Sequence, residues 1–91
     1  LARASLNAAL QVICHEQHGT CLRELGQADR ALEEWRAGGT LSEGIGMLDQ
    51  RLSFLRRSVE LLGARGRASE VRELQKQMSA LREAGAQELP L

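Results

Sequence analysis

Three side chains that bind metals or undergo redox chemistry share one predicted helical face. Cys14, His18 and Cys21 stand at positions i, i+4 and i+7, a spacing that places them on the same side of a helix. Thiolates and imidazoles are zinc ligands, but a closed structural zinc site takes four ligands, and His15 points about 100° away from this face. A regulatory zinc or redox site is therefore an alternative hypothesis. The simpler interpretation is two small thiols in an apolar seam, with His18 as a polar residue that fixes helix register.

Arginines in the middle of the chain are a second group with possible chemistry, because guanidinium groups suit phosphates. Residues 40–68 carry five basic and three acidic side chains. An excess of two positive charges is small, and no aromatic side chain is placed among them for base stacking. An ordinary solvated surface is the preferred interpretation, and weak nucleic-acid binding is the second alternative hypothesis. The arginines of this cluster are Arg51, Arg56, Arg57, Arg65, Arg67 and Arg72.

Length and composition narrow the class of protein. A chain of 91 residues is enough for one domain and buries only about 60 to 65% of its unfolded surface, which leaves little room for an enclosed active site. No catalytic arrangement of residues emerges, so we expect no enzyme activity, no cofactor and no small-molecule substrate. Twelve basic residues balance twelve acidic ones, and there is no long apolar run, so we expect no membrane partner.

The cysteines and the chain ends add two expectations. Cys14 and Cys21 are about 10 Å apart on a helix, beyond the limit of about 7 Å for an intrachain disulfide. Free thiols predict an intracellular protein, cytoplasmic or nuclear. Because the chain starts with Leu1, we interpret it as a single helical module excised from a longer protein.

Apolar periodicity predicts a long first helix over about residues 2–37. The helix is expected to bend near Gly19 and to stop at Gly38 and Gly39, since glycine readily takes the left-handed conformation that ends helices. Its seam follows alternating steps of four and three residues, as in a heptad repeat. The seam consists of Cys14, His18, Cys21, Leu25, Ala28, Leu32 and Trp35.

Two shorter helices are predicted to follow. A capping box over residues 40–43 starts a helix at about 41–62, and Ser69 caps a third helix at about 69–84. The tail over 85–91 is expected to be flexible. The second helix has two apolar faces, which places it between two neighbours. Its main seam is Leu41, Ile45, Leu48, Leu52, Leu55, Val59 and Leu62.

These elements predict an all-α fold: an antiparallel helical hairpin or three-helix bundle with coiled-coil packing. At 1.5 Å per residue the helices would span roughly 50, 33 and 24 Å, so the first helix would overhang its partners. The overhang would leave Leu6, Leu10, Val12 and Ile13 uncovered. We therefore expect a non-catalytic scaffold or adaptor that self-associates or docks an amphipathic helix of another protein. The predicted contact residues are Leu6, Leu10, Ile13, Leu48, Leu52, Phe54, Leu55 and Leu61.

Overall fold

Four helices make up the fold, as seen in a computed structural model that describes residues 2–88, with side chains for 6–84. The chain is all-helical, as predicted, and the described residues contain no strand. The helices pack against each other as a four-helix bundle. The prediction of a two-helix hairpin or a three-helix bundle is therefore wrong. The four helices are α1 (Ala2–Glu24), α2 (Ala28–Gly44), α3 (Leu48–Ala64) and α4 (Ala68–Glu88).

The three turns between the helices share one geometry and recur every 20 residues. Gly26, Gly46 and Gly66 have φ angles of 80°, 77° and 72°, a left-handed conformation that glycine adopts without a Cβ clash. The residue after each glycine donates its N–H to the carbonyl five positions earlier, at 2.8, 2.8 and 3.0 Å. Each glycine N–H donates to the carbonyl three positions earlier, at 3.0 to 3.2 Å. This pair of bonds is the Schellman motif, which satisfies the last carbonyls of a helix.

The first of these turns divides the long helix predicted over 2–37. The apolar seam of that predicted helix passes from Leu25 to Ala28 across Gly26. Its first four residues therefore lie in α1 or its C-cap, and its last three lie in α2. A three-residue turn preserves the spacing of the apolar residues, and periodicity therefore does not reveal it. Gly19 lies within α1, which is continuous there. Gly38 and Gly39, the predicted stop, lie buried inside α2.

The predicted second helix also crosses a turn. Residues 40–43 belong to α2 rather than to a capping box, and α3 begins only at Leu48. Its N-cap, Met47, makes no side-chain capping bond. The third predicted helix corresponds to α4, which starts at Ala68 rather than after Ser69 and continues to Glu88. Of the tail predicted to be flexible, residues 89–91 lie outside the described part of the chain. Heptad packing stays a prediction, since both seams are split between helices.

Each helix packs mainly on its neighbours in sequence. Extensive backbone contact joins α1 to α2, α2 to α3, and α3 to α4. The Cα radius of gyration is 13.9 Å, against roughly 12 Å for a compact domain of this size, and the extents of 40 × 31 × 14 Å describe a flat body. The helices therefore form an open row, as in helical-repeat proteins, whose two end helices each have a neighbour on one side only.

Ion pairs tie helices that are two apart in this row. Arg57 on α3 donates to Glu16 at 2.7 Å and to Thr20 at 3.0 Å, both on α1. At the start of α4, the N-cap Arg67 donates to Asp29 on α2 at 3.2 Å. Partly exposed ion pairs of this kind contribute little stability each.

The core lies where α1, α2 and α3 meet, and two glycines allow the helices to approach. Trp35 is fully buried and Phe54 is 2% exposed. Gly19 on α1 faces the Trp35 indole, and a Cβ on Gly38 would lie 2.6 Å from Cζ of Phe54. Any larger residue at these two positions would push the rings and the helices apart.

The close contact at Gly38 predicts an unfavourable effect of adding a single methyl group. We expect Gly38→Ala to lower the free energy of unfolding by about 1–2 kcal/mol, because overpacking against Phe54 outweighs the gain in helix propensity. The matched control is Gly63→Ala on α3, whose added Cβ meets nothing within 4 Å, and which we expect to gain up to about 1 kcal/mol. Urea unfolding measures both changes. Equal gains for the two variants would contradict this packing.

Candidate functional site

The outer side of α1 carries an exposed apolar surface. Val12 and Gly19 mark the side of α1 that is buried against the other helices. At 100° per residue, the residues of the exposed surface lie on the side that faces away from these two. Leu6, Leu10 and Ile13 are 60%, 51% and 46% exposed. We call this surface the outer stripe; it consists of Leu6, Leu10, Ile13, Cys14, Gln17 and Cys21, all exposed.

No charged side chain interrupts the outer stripe. Between residues 6 and 21 the only Asp, Glu, Lys or Arg is Glu16, which turns toward α3 and pairs with Arg57 at 2.7 Å. Helix α1 is therefore apolar on two opposite sides, one of which the chain itself covers. A helix with two apolar sides is usually covered on both.

The other helices expose no comparable surface. Among the residues whose side chains are described, the exposed large apolar ones are Leu6, Leu10, Ile13 and Leu25, all on α1 or its C-cap. At the opposite end of the row, the exposed side of α4 is polar and includes Arg72, Glu73, Lys76, Arg82 and Glu83. The two ends of the row thus differ in chemistry, and only α1 presents an apolar side to solvent.

The predicted contact residues fall into three groups. Leu6, Leu10 and Ile13 are exposed together on the outer stripe, whereas Leu48, Leu52 and Leu61 are half-buried between helices. Phe54 and Leu55 are 2% and 4% exposed, so they belong to the core and offer no surface to a partner in this conformation. Val12 was also expected to be uncovered; this was wrong, because it is fully buried where α1 meets the core.

The cysteine and histidine residues are placed differently from the sequence prediction. Cys14 and Cys21 are exposed free thiols on the outer stripe, not small residues in a buried seam. The side chain of His18 is 53% exposed, so it does not fix register from a core position. In the part of the chain that the structure describes, no group of three or more His, Cys, Asp or Glu residues is placed to hold a metal ion.

Three arginines of the predicted cluster form contacts within the fold. Arg57 pairs with Glu16 at 2.7 Å, and Arg67 pairs with Glu70 at 2.7 Å. Arg51 lies 3.7 Å from a carboxylate oxygen of Glu43, and its side chain is only 16% exposed. The remaining three, Arg56, Arg65 and Arg72, are exposed. The cluster is thus partly neutralised, which weakens the case for phosphate binding.

A groove of about 880 Å³ runs across α2, α3 and α4. Leu32, Leu55, Leu62 and Leu74 are among the apolar residues that line it. Three arginines and four acidic residues also line it, and Arg67 bridges two of the acids, Asp29 and Glu70. Its mixed charges leave no strong net attraction for a ligand of either sign.

A carboxylate on α2 lies between two imidazoles on α1. Nδ1 of His15 is 2.8 Å from Oε2 of Glu34, and Nδ1 of His18 is 3.2 Å from Oε1. The hydrogen bond from His15 is the main cause that holds the pKa of Glu34 below its ordinary value of 4.5; attraction to both histidines adds to it, and burial opposes it. This cluster joins α1 to α2 and needs no ligand to satisfy it.

The signal that sequence reasoning missed is the 20-residue period. Gly26, Gly46 and Gly66 mark it, and the positions four residues before and twelve residues after each glycine are buried every time. These positions are Leu22, Ser42, Leu62, Gly38, Ser58 and Met78. A search for self-similarity at a fixed period would have located all three turns and, with them, the end helices of the row.

The lowered pKa of Glu34 predicts an acid sensitivity that depends on this residue. Its ionised form stabilises the fold fully above pH 4.5, and the contribution disappears as the pH falls through the lower pKa of the folded state. We expect Glu34→Gln to lose less stability than the wild type between about pH 5.5 and about pH 3. Urea midpoints at each pH measure this loss. Glu33→Gln, at the exposed neighbouring position, is the control; an equal effect of both substitutions would contradict the prediction.

Over the residues that the structure describes, no helix combines the length and apolarity required to cross a bilayer. Comparison with protein-family models, with curated protein sequences and with solved structures finds no match.

Proposed function

We propose that this chain is a non-catalytic protein-interaction module of the scaffold or adaptor type, which accepts an amphipathic helix on the outer stripe of α1. The observation that carries the proposal is the uncharged outer stripe of α1, on which Leu6, Leu10 and Ile13 are about half exposed. Three large apolar residues on one face of one helix are a continuous patch rather than scattered surface residues, and such patches mark interaction sites.

The spacing of the stripe suits a helix as the occupant. Its large residues stand at i, i+4 and i+7, the pattern by which one helix packs against another along its length. An added helix would extend the existing row by one member, in the same way that α1 packs on α2. The occupant is either a helix of another protein or a second copy of this chain.

The size of the stripe implies a weak interaction. Burying the exposed parts of Leu6, Leu10 and Ile13 stabilises a complex by about 3–4 kcal/mol in total, and ordering the two partners offsets part of this. A free energy of this size corresponds to a dissociation constant of about 1 mM or weaker for a single docked helix. Such an affinity is typical of small, transient interfaces.

The groove across α2 to α4 and the exposed thiols support other functions less well. Arg67 is satisfied by Asp29 and Glu70 within the groove, so a ligand there would have to displace existing ion pairs. The zinc hypothesis needs three or more ligands close together, and the described residues contain no such group of His, Cys, Asp or Glu side chains.

A designed peptide tests the proposal directly. The probe is a helical peptide with leucine at i, i+3, i+4, i+7 and i+11 and with Glu and Lys elsewhere. We expect NMR shift changes on titration to cluster on residues 6–21. Leu10→Glu should weaken binding at least about tenfold, because it places a charge in the middle of the apolar contact.

The matched control is Ala80→Glu, which adds the same charge to the exposed side of α4 and should leave binding unchanged. Both variants change exposed residues, so circular dichroism and urea unfolding should show an intact fold. Shift changes that cluster in the groove between α2 and α4, or equal binding by the two variants, would refute the proposal.

A further inference from the structure

The two end helices of the row contribute unequally to the core. The core cluster of buried apolar residues includes Val12 and Leu22 of α1, and its other members lie on α2 and α3. On α4, Met78 is 8% exposed, and Leu74 and Leu81 are half-buried. Helix α1 is therefore anchored in the core, whereas α4 packs outside it.

Helix α3 has two apolar sides, and α4 packs on the one that faces away from the core cluster. Phe54 belongs to the core cluster. About 100° further around α3, a second apolar row stands at i, i+4 and i+7. Two of its members line the groove together with Leu74 of α4, and the third lines a smaller cleft together with Met78. We call these residues the α3 row; they are Leu55, Leu62 and Val59.

The polar contacts that hold α4 to the other helices are weak. Arg67, at the start of α4, lies 3.2 Å from a carboxylate oxygen of Asp29 on α2, and these side chains are 40% and 82% exposed. Arg51 on α3 donates to Gln77 on α4 at 3.4 Å, which is long for a hydrogen bond. Exposed ion pairs contribute little stability and are screened by salt. Extensive backbone contact joins α4 to α3 alone.

From this unequal packing we infer that α4 is a lid on the α3 row, which opens as one unit while α1, α2 and α3 stay folded. In a row of helices, stability is approximately the sum of each helix's own stability and its contacts with its neighbours. The end helix with the fewest buried contacts therefore opens at the lowest free energy. Opening α1 would also remove Val12 and Leu22 from the core, so α4 opens first.

The open state differs from the closed state in its apolar surface. Leu55 and Leu62 are 4% and 3% exposed when α4 is in place, and they become accessible to solvent when it leaves. The chain thus has a second apolar helix side that is available only while the lid is open. This inference concerns the opposite end of the row from the outer stripe, and it does not depend on the proposed function.

Native-state hydrogen exchange on the whole chain tests the lid. We expect the amides of residues 74–81 to share one opening free energy and to be at least about tenfold less protected than those in the middle of α2. Urea below the unfolding transition should accelerate exchange in α4 less steeply than in α2. The reason is that opening one helix exposes less surface than unfolding the whole chain.

A matched pair of substitutions separates the lid from the core. Met78→Ala and Leu22→Ala each truncate a side chain that is less than 10% exposed, one on each end helix. We expect Met78→Ala to lower protection in α4 at least about tenfold and to leave protection in α2 unchanged. Leu22→Ala should lower protection in α2, because it weakens the shared core. If α4 of Met78→Ala no longer docks at all, protection in α2 should still persist.

Two outcomes would overturn the inference. Equal protection of α2 and α4 in the wild type, with the same dependence on urea, would show that the chain opens only as a whole. A loss of protection in α2 of Met78→Ala as large as the loss in α4 would show that α4 and the core form one cooperative unit.

Discussion

The packing of two aromatic rings on two glycines is the contact on which the rest of the structure depends. Trp35 lies against Gly19 of α1, and Phe54 of α3 lies against Gly38 of α2. Together the two contacts bring three helices close enough to share one core, in a chain whose aromatic residues are Trp35 and Phe54. Because the rings fill the space that a side chain would need, the glycines add buried contact here rather than flexibility.

A second constraint comes from the repeated turn. The left-handed glycine and its two hydrogen bonds allow three residues to reverse the chain, and the 20-residue period keeps the helices similar in length. Identical short turns favour contact between consecutive helices, so the four helices of the bundle lie in chain order as an open row. An open row necessarily has two ends, and the polarity of its end helices decides whether the protein remains monomeric or associates.

The two ends of this row are built differently. The exposed side of α4 is charged, which is how repeat proteins end in solution. On α1, the lone charged residue between 6 and 21 turns away to pair with Arg57, so that the outer stripe is left apolar. The ion pair that ties α1 to α3 and the apolar character of the outer stripe therefore have a common origin in the position of Glu16. Both features bear on the proposal that a helix docks on the outer stripe.

Local sequence properties were sufficient for part of this description. Apolar steps of three and four residues predicted an all-helical chain, because this periodicity is set by residues a few positions apart. An overhang of a long first helix was expected to leave Leu6, Leu10 and Ile13 uncovered; they are exposed, but because they lie on the outer side of α1. Their exposure follows from the phase of one helix, which the sequence already contains.

The tertiary structure decided where the helices end, and which glycines end a helix and which pack inside one. Gly26 lies in the turn that ends α1, whereas Gly38 and Gly39 lie inside α2. The sequence alone had predicted a helix that ends at Gly38 and Gly39 and continues through Gly26. A buried glycine that faces Phe54 gains packing which an isolated peptide lacks, and this outweighs its poor helix propensity. Phe54 and Leu55 were likewise predicted to contact a partner, and they lie in the core of the chain itself. Their burial depends on which helices meet, and that is set by contacts between residues far apart in the sequence.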